Sequence, residues 1–232
     1  MIESKTEGIR VRGGRTYLDV PHLDSEITFI HPVKGPAAYA DAAKQLEQEN
    51  LLPPTIAHNS SLIHAAWQNP KEKYSNEIIN ILRSSWLWCF NGILYEPKEG
   101  AYIQDTPKIK NNRVIMNKSD LVKKLEANDS SVRFVPFGYK RGEQSYKELK
   151  INPFVIALAG EEGAEKLAEA SANYKFKPYV WSFDEVDKQT IRVASLDGDW
   201  GDGRLGVYGR DFDGGRGRRV LGYSKKLAKP VF

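Results

Sequence analysis

The reading of this chain turns on Thr190 to Gly222: TIRVASL (190–196), followed without a break by DGDWGDGRLGVYGRDFDGGRGRRVLG (197–222). The first part alternates well enough for a strand. The next 26 residues hold nine of the chain's 19 glycines, five Asp and five Arg. They lack the periodic apolar residues that a core helix or strand requires. What remains is a set of hydrophobic posts, Trp200, Leu205, Val207, Phe212, Val220 and Leu221, under a dense display of Asp, Gly, Arg and one Tyr. Short hydrogen-bonding side chains on a few apolar anchors are the make-up of a binding surface.

Ahead of this segment the chain is ordinary α+β material. TYLDV (16–20) and EITFIHP (26–32) read as strands. Gly35 and Pro36 open a helix through Asn50, with Tyr39, Ala42, Ala43 and Leu46 at the spacing of one buried stripe. Thr55 caps a second helix to about Gln68, which Asn69-Pro70 ends. A third helix starts at Ser75, and WLWCF (86–90) closes it into the core. GILYEPKEGAYIQ (92–104) has the turn residues of a hairpin, a capped helix follows over 119–127, and VRFVPF (132–137) suggests a strand. Residues 140–179 change character and read as an insertion packed on the core, with EEGAEKLAEASAN (161–173) as a surface helix. The expectation is one domain over 1–232, with an insertion at 140–179 and the unusual segment at 197–222.

At 232 residues the chain is long enough to bury a substantial core unaided. The net charge of +4 is mild for a nucleic-acid binder. The single cysteine, Cys89, excludes an intramolecular disulfide and reads as a buried small hydrophobe. No stretch approaches the ~20 apolar residues of a membrane span, and MIESKTEGIRVRGG lacks the apolar core of a secretion signal. The default address is the cytoplasm.

Simple chemistries fit the segment poorly. Counted from Asp197, a calcium loop would need an oxygen ligand at position 5, Gly at 6 and Glu at 12, where Gly201, Asp202 and Tyr208 stand. A looser calcium site over Asp197, Asp199 and Asp202 stays open as an alternative, as does nucleic-acid binding through GRGRR. Five Asp interspersed with five Arg cancel the local attraction for phosphate. Among His22, His31, His58 and His64, the pair His58 and His64 stands at i, i+6, which does not share a helix face, so no metal ligation by these histidines is expected. No nucleophile–base pair is legible, so the expectation is a binding protein with no catalytic residues and no cofactor.

The segment also has a genetic regularity. Asp, Gly, Arg, Tyr, Val, Leu and Phe are all reached from an asparagine codon when its adenines are replaced, and the segment contains no Asn, Lys, Gln or Glu. In this respect, and in the order of strand, small-residue/Trp motif, Arg-bearing strand, loop and final Gly-aromatic strand, RVASL-DGDWGDGRLGVYGRDFDGGRGRRVLGY resembles the variable proteins of diversity-generating retroelements. The match covers about the last 35 residues. The resemblance implies a C-type lectin fold, in the variant shared with formylglycine-generating enzymes. Those enzymes need two active-site cysteines, so the resemblance implies no such activity here. It implies instead a surface that binds an unidentified protein or surface ligand. Trp200, Leu205, Val207, Val220 and Leu221 would be its buried, constant posts. Asp199, Asp202, Arg204, Tyr208, Arg210, Asp211, Asp213, Arg216 and Arg218 would be its displayed, variable residues.

Overall fold

The computed structural model describes residues 9–12, 15–198, 203–215 and 217–225. Strands β1 (Ile9–Arg12), β2 (Arg15–His22), β3 (Ser25–His31) and β4 (Lys34–Ala37) lead into helices α1 (Tyr39–Gln48), α2 (Ile56–Gln68) and α3 (Lys73–Ser84). The hairpin β5 (Trp86–Glu96) and β6 (Gly100–Asp105) comes next, then the ribbon β7 (Lys108–Lys110) and β8 (Arg113–Ile115), helix α4 (Lys118–Glu126), and strands β9 (Val132–Pro136) and β10 (Gly142–Glu143). Helices α5 (Tyr146–Ile151) and α6 (Pro153–Ser171) precede β11 (Tyr179–Trp181), β12 (Thr190–Gly198), β13 (Leu205–Asp211), β14 (Arg218–Val220) and β15 (Tyr223–Lys225). The class is α+β, as the sequence indicates.

WLWCF does not close a helix. It begins β5, the strand on which the main sheet is organised. That sheet runs β10-β11-β13-β12-β5-β14-β4, with β6 beside β5 and β9 beside β6. A strand buried on both faces shows no alternation of polar and apolar residues, so period cannot tell the run from a buried helix end. Along β5, Leu87, Cys89, Ile93 and Tyr95 enter one core with α2, α3 and α6. Trp88, Phe90 and Leu94 enter a second core with Tyr39, Leu46, Val114 and Leu121 from α1, the β7–β8 ribbon and α4. The sheet is therefore sandwiched between two apolar layers.

α2 forms where the sequence places it, and its capping box joins Thr55 to the His58 side chain, which accepts from the Thr55 N–H at 3.1 Å. Gly35 and Pro36 do not open α1; they lie in β4, where a Cβ on Gly35 would sit 2.7 Å from the Arg218 carbonyl oxygen of β14. Glycine there lets two strand backbones meet. Residues 140–179 are part of the main core rather than a cover on it. In α6, Phe154, Leu158, Ala164, Leu167 and Ala168 are buried, and Gly163 stands so close to α2 that a Cβ would meet Ser60 Oγ at 2.9 Å. The alternating Ala and Glu of 161–173 hide that apolar face, because alanine buries well without announcing itself as a hydrophobic stripe.

The first three strands and β15 form a second sheet, ordered β1-β2-β3-β15. Tyr223 lies opposite Phe29, and the Ile30 N–H donates to Gly222 O at 2.9 Å. The closing strand thus fixes the unusual segment between β12 and the N-terminal sheet.

Candidate functional site

β13 sorts the residues of the segment by parity, because successive side chains on a strand point to opposite faces. Leu205 and Val207 face the helical core and are fully buried. Gly209 is buried too, and its carbonyl accepts from Tyr95 Oη at 2.8 Å. Tyr208 and Arg210 face the other way, onto rings supplied by neighbouring strands. In the parallel pair β11–β13, Trp181 is opposite Tyr208; their rings stack at 5.8 Å and 10°. Tyr208 also packs at 4.4 Å on Trp86, at the start of β5, and Tyr179 at 4.1 Å on Trp181.

Arginines lie over this aromatic row. Arg210, exposed, holds its guanidinium 4.5 Å over Trp181. Arg204 lies 5.7 Å over Tyr179 and 5.6 Å over the exposed Phe176. Arg218 covers Trp86 at 4.4 Å and Trp88 at 4.8 Å. Trp86, Tyr179, Trp181 and Tyr208 are only half-buried. Rigid aromatic faces of this kind supply contact area at low entropic cost, and the guanidinium groups add cation–π attraction.

Beneath the rings lies a polar layer. Tyr208 Oη donates to Asp197 Oδ2 at 3.2 Å, and burial, followed by the Asp197 charge, raises the Tyr208 phenol pKa. Asp197 is buried and belongs to this layer.

Asp211, Arg218 and Asp213, expected on display, are instead tied into the support. Asp211 is 7% exposed; it accepts from Ser195 Oγ and from Arg218, whose Nη2 is 2.8 Å from Oδ1. Arg218 is correspondingly held between that carboxylate and the two tryptophans. Asp213 is turned inward to the β7–β8 ribbon, accepting from Arg113 Nη1 at 2.8 Å and from the Val114 N–H at 3.0 Å. A charged residue in a Gly-rich loop reads as solvated, and only the fold shows that the loop folds back onto donors. Arg204, Tyr208 and Arg210 do reach the surface row. Phe212, expected as a post, is instead 63% exposed beneath the Arg192 guanidinium at 4.3 Å. Val220 and Leu221 are buried. Asp199, Trp200, Asp202 and Arg216 lie outside the described residues.

The sequence reading misses Trp86, Tyr179 and Trp181, which lie far from the segment in the chain. YVW (179–181) is a legible strand-like run, but nothing local places it beside β13. Among the described residues no group of three or more His, Cys, Asp or Glu is placed to hold a metal ion. Cys89 is fully buried, and burial pushes its thiol up to about 12. Among the described residues, no helix is long and apolar enough to cross a membrane.

Compared with protein-family models, with curated proteins and with solved structures, the chain matches none.

Proposed function

We propose that the chain is a ligand-binding protein of C-type lectin type whose β13–β14 region is a display surface diversified by adenine-directed copying. The observation that carries this reading is the sorting along β13. Apolar residues and glycine enter the core on one side, while Tyr208 and Arg210 stand on an aromatic row on the other. Such a strand separates what the fold needs from what a ligand meets, so exposed positions can change at a cost usually within ~0.5 kcal/mol each. The pairing of β15 with β3 supports the lectin-type reading, since together with β12 it anchors the segment at both sides.

The displayed set is Arg204, Tyr208 and Arg210, joined by Phe212, against a constant aromatic row of Trp86, Tyr179 and Trp181. Asp211, Asp213 and Arg218 belong to the support and are constant. The surface itself is a binding site without thiol chemistry. The ligand is a protein or surface ligand recognised chiefly by Tyr208 and the arginines, the residue types that dominate hot spots.

The coding locus tests the reading. A near-copy of the last ~100 bases, beside a reverse-transcriptase gene, should differ from the coding copy at adenines of the template (~3 bases per residue over the ~35 residues of the segment). Its differences should fall on codons for 204, 208 and 210 and spare those for 205, 207, 220 and 221. A locus with no such copy overturns diversification. Loss of binding to a captured ligand in Arg210→Ala and Trp181→Ala tests the surface separately.

A further inference from the structure

A second cluster lies where the β2–β3 turn meets α2 and α6. Ser61 on α2 is 2% exposed and has two side-chain neighbours: His22 Nδ1 at 3.0 Å and Lys166 Nζ at 2.9 Å. The direction of the Lys166 hydrogen bonds follows from the donor. The three N–H groups of Lys166 meet three acceptors: Ser61 Oγ, Pro21 O at 3.1 Å and Glu162 Oε1 at 2.5 Å. An ammonium can only donate, so Ser61 Oγ accepts from Lys166; in the tautomer that carries the His22 proton on Nε2, Nδ1 accepts the Ser61 hydroxyl proton. A serine hydroxyl polarised by a cation on one side and facing an imidazole lone pair on the other is an activated nucleophile. Burial first, and then Lys166, lower the His22 pKa against an opposing effect of Glu162, which keeps the imidazole in its proton-accepting form near neutrality.

The cluster opens on a cavity of about 260 Å³ lined by His22, Ser61, Leu158, Gly160, Glu162 and Arg133, among others. Its charges are balanced in pairs, Arg133 with Asp105 and Lys166 with Glu162. Leu23, Ala57, Leu158 and Ala159 make apolar wall. A site of this size without surplus charge suits a short, neutral acyl group. Gly160 (φ +74°) breaks α6 and starts a new helical run on the cavity wall.

We propose that this cavity is an acyl-transfer site that hydrolyses small neutral esters, with Ser61 as nucleophile and His22 as general base. Ser61 Oγ attacks the ester carbonyl carbon while its proton passes to His22 Nδ1. The carbon–oxygen bond to the alcohol breaks, and His22 returns the proton to the leaving alkoxide. Water then attacks the acyl-serine, giving its proton to His22, and Ser61 Oγ leaves and recovers that proton. The products are a carboxylic acid and an alcohol. Lys166 stabilises the charge that develops on Oγ. The site shares no residue with the display surface and stands or falls separately from it.

The test is labelling of the full folded chain with a fluorophosphonate, with the adduct located by peptide mass spectrometry, alongside hydrolysis of p-nitrophenyl butyrate. The expected result is an adduct on Ser61 and turnover that is lost in Ser61→Ala. His22→Gln should lower both by about 10²-fold or more, the usual scale for a general base, with an unchanged melting temperature. The wild-type labelling rate should rise with pH through a midpoint below about 6.5, the ordinary histidine value; Lys166, Glu162 and the stacked His58 are the titratable groups facing His22. Absence of an adduct on Ser61 in the wild-type protein overturns the proposal without any variant. Equal turnover in Ser61→Ala, or labelling of Ser61 undiminished in His22→Gln, also overturns it.

Discussion

Arg218 grips Asp211 with two hydrogen bonds, Nη2 to Oδ1 at 2.8 Å and Nε to Oδ2 at 3.3 Å, and so ties the start of β14 to the end of β13. The pair closes off the connection between the two strands and lies against Trp86 and Trp88. Both side chains are largely buried, at 10% and 16% exposure. Removing one partner from such a pair leaves an uncompensated charge. Asp211→Ala is therefore expected to destabilise the fold by about 3 kcal/mol, read as a shift of the urea midpoint at unchanged slope.

The neighbouring display positions should behave in the opposite way. Arg210 and Phe212 are exposed, and Arg210→Ala or Phe212→Ser is expected to change stability by no more than ~0.5 kcal/mol. Gly209, between Tyr208 and Arg210, faces the core; a Cβ there would stand 2.3 Å from Phe154 Cζ. Gly209→Ala should cost about 1–3 kcal/mol through overpacking. The three melts together test whether burial parity governs tolerance in this segment.

Cys89 should be inert in the native state. With a thiol pushed up to about 12 and no exposure, it is neutral and shielded under mildly alkaline conditions. Ellman's reagent is expected to find no reactive thiol in buffer and one in denaturant. Stoichiometric reaction of the folded protein would contradict this placement.

Tyr139 and Glu148 contribute at opposite ends of the pH–stability profile. Burial raises the Tyr139 phenol from 10.0 to about 12, so the folded state favours the neutral form. Desolvation is the leading cause of that shift, and the phenol donates to Phe183 O at 2.7 Å. A raised folded pKa contributes stability that is complete below the unfolded value and is lost as pH rises through the folded one. The melting temperature should therefore fall from about pH 10 upward, with a shallower fall in Tyr139→Phe.

On the acid side, the hydrogen bond from Lys140, followed by those from Ser145, lowers the Glu148 carboxyl from 4.5 to about 2. A depressed folded pKa contributes stability that is present above the unfolded value and is lost as pH falls through the folded one. Thermal melts between pH 4.5 and about 2 should show this loss in the wild type. Glu148→Gln should remove that part of the pH dependence.

Several elements are legible because their signals are local. The Thr55 cap, the Asn69-Pro70 stop and the turn at Pro97 to Gly100 each place a boundary within a few residues. WLWCF is not, because a strand covered on both faces carries no period. Residues 161–173 read as surface because their buried face is mostly alanine and glycine. In the candidate site, Leu205, Val207, Val220 and Leu221 are identifiable as apolar residues among polar ones. Asp211 and Asp213 read as displayed because their donors, Arg218, Arg113 and the Val114 N–H, become neighbours only through a turn and a separate ribbon.

By itself the sequence determined the α+β class, the positions of the capped helices and the existence of a segment built of posts and polar display. Each of these depends on residues close together in the chain, where propensity, capping and period act. Only the tertiary structure decided which members of that segment face solvent, and that Trp86 and Trp181, drawn from distant strands, flank Tyr208. It likewise brought His22, Ser61 and Lys166 within hydrogen-bonding reach. Strand order and register create those contacts, and long-range pairing leaves no local pattern from which to read them.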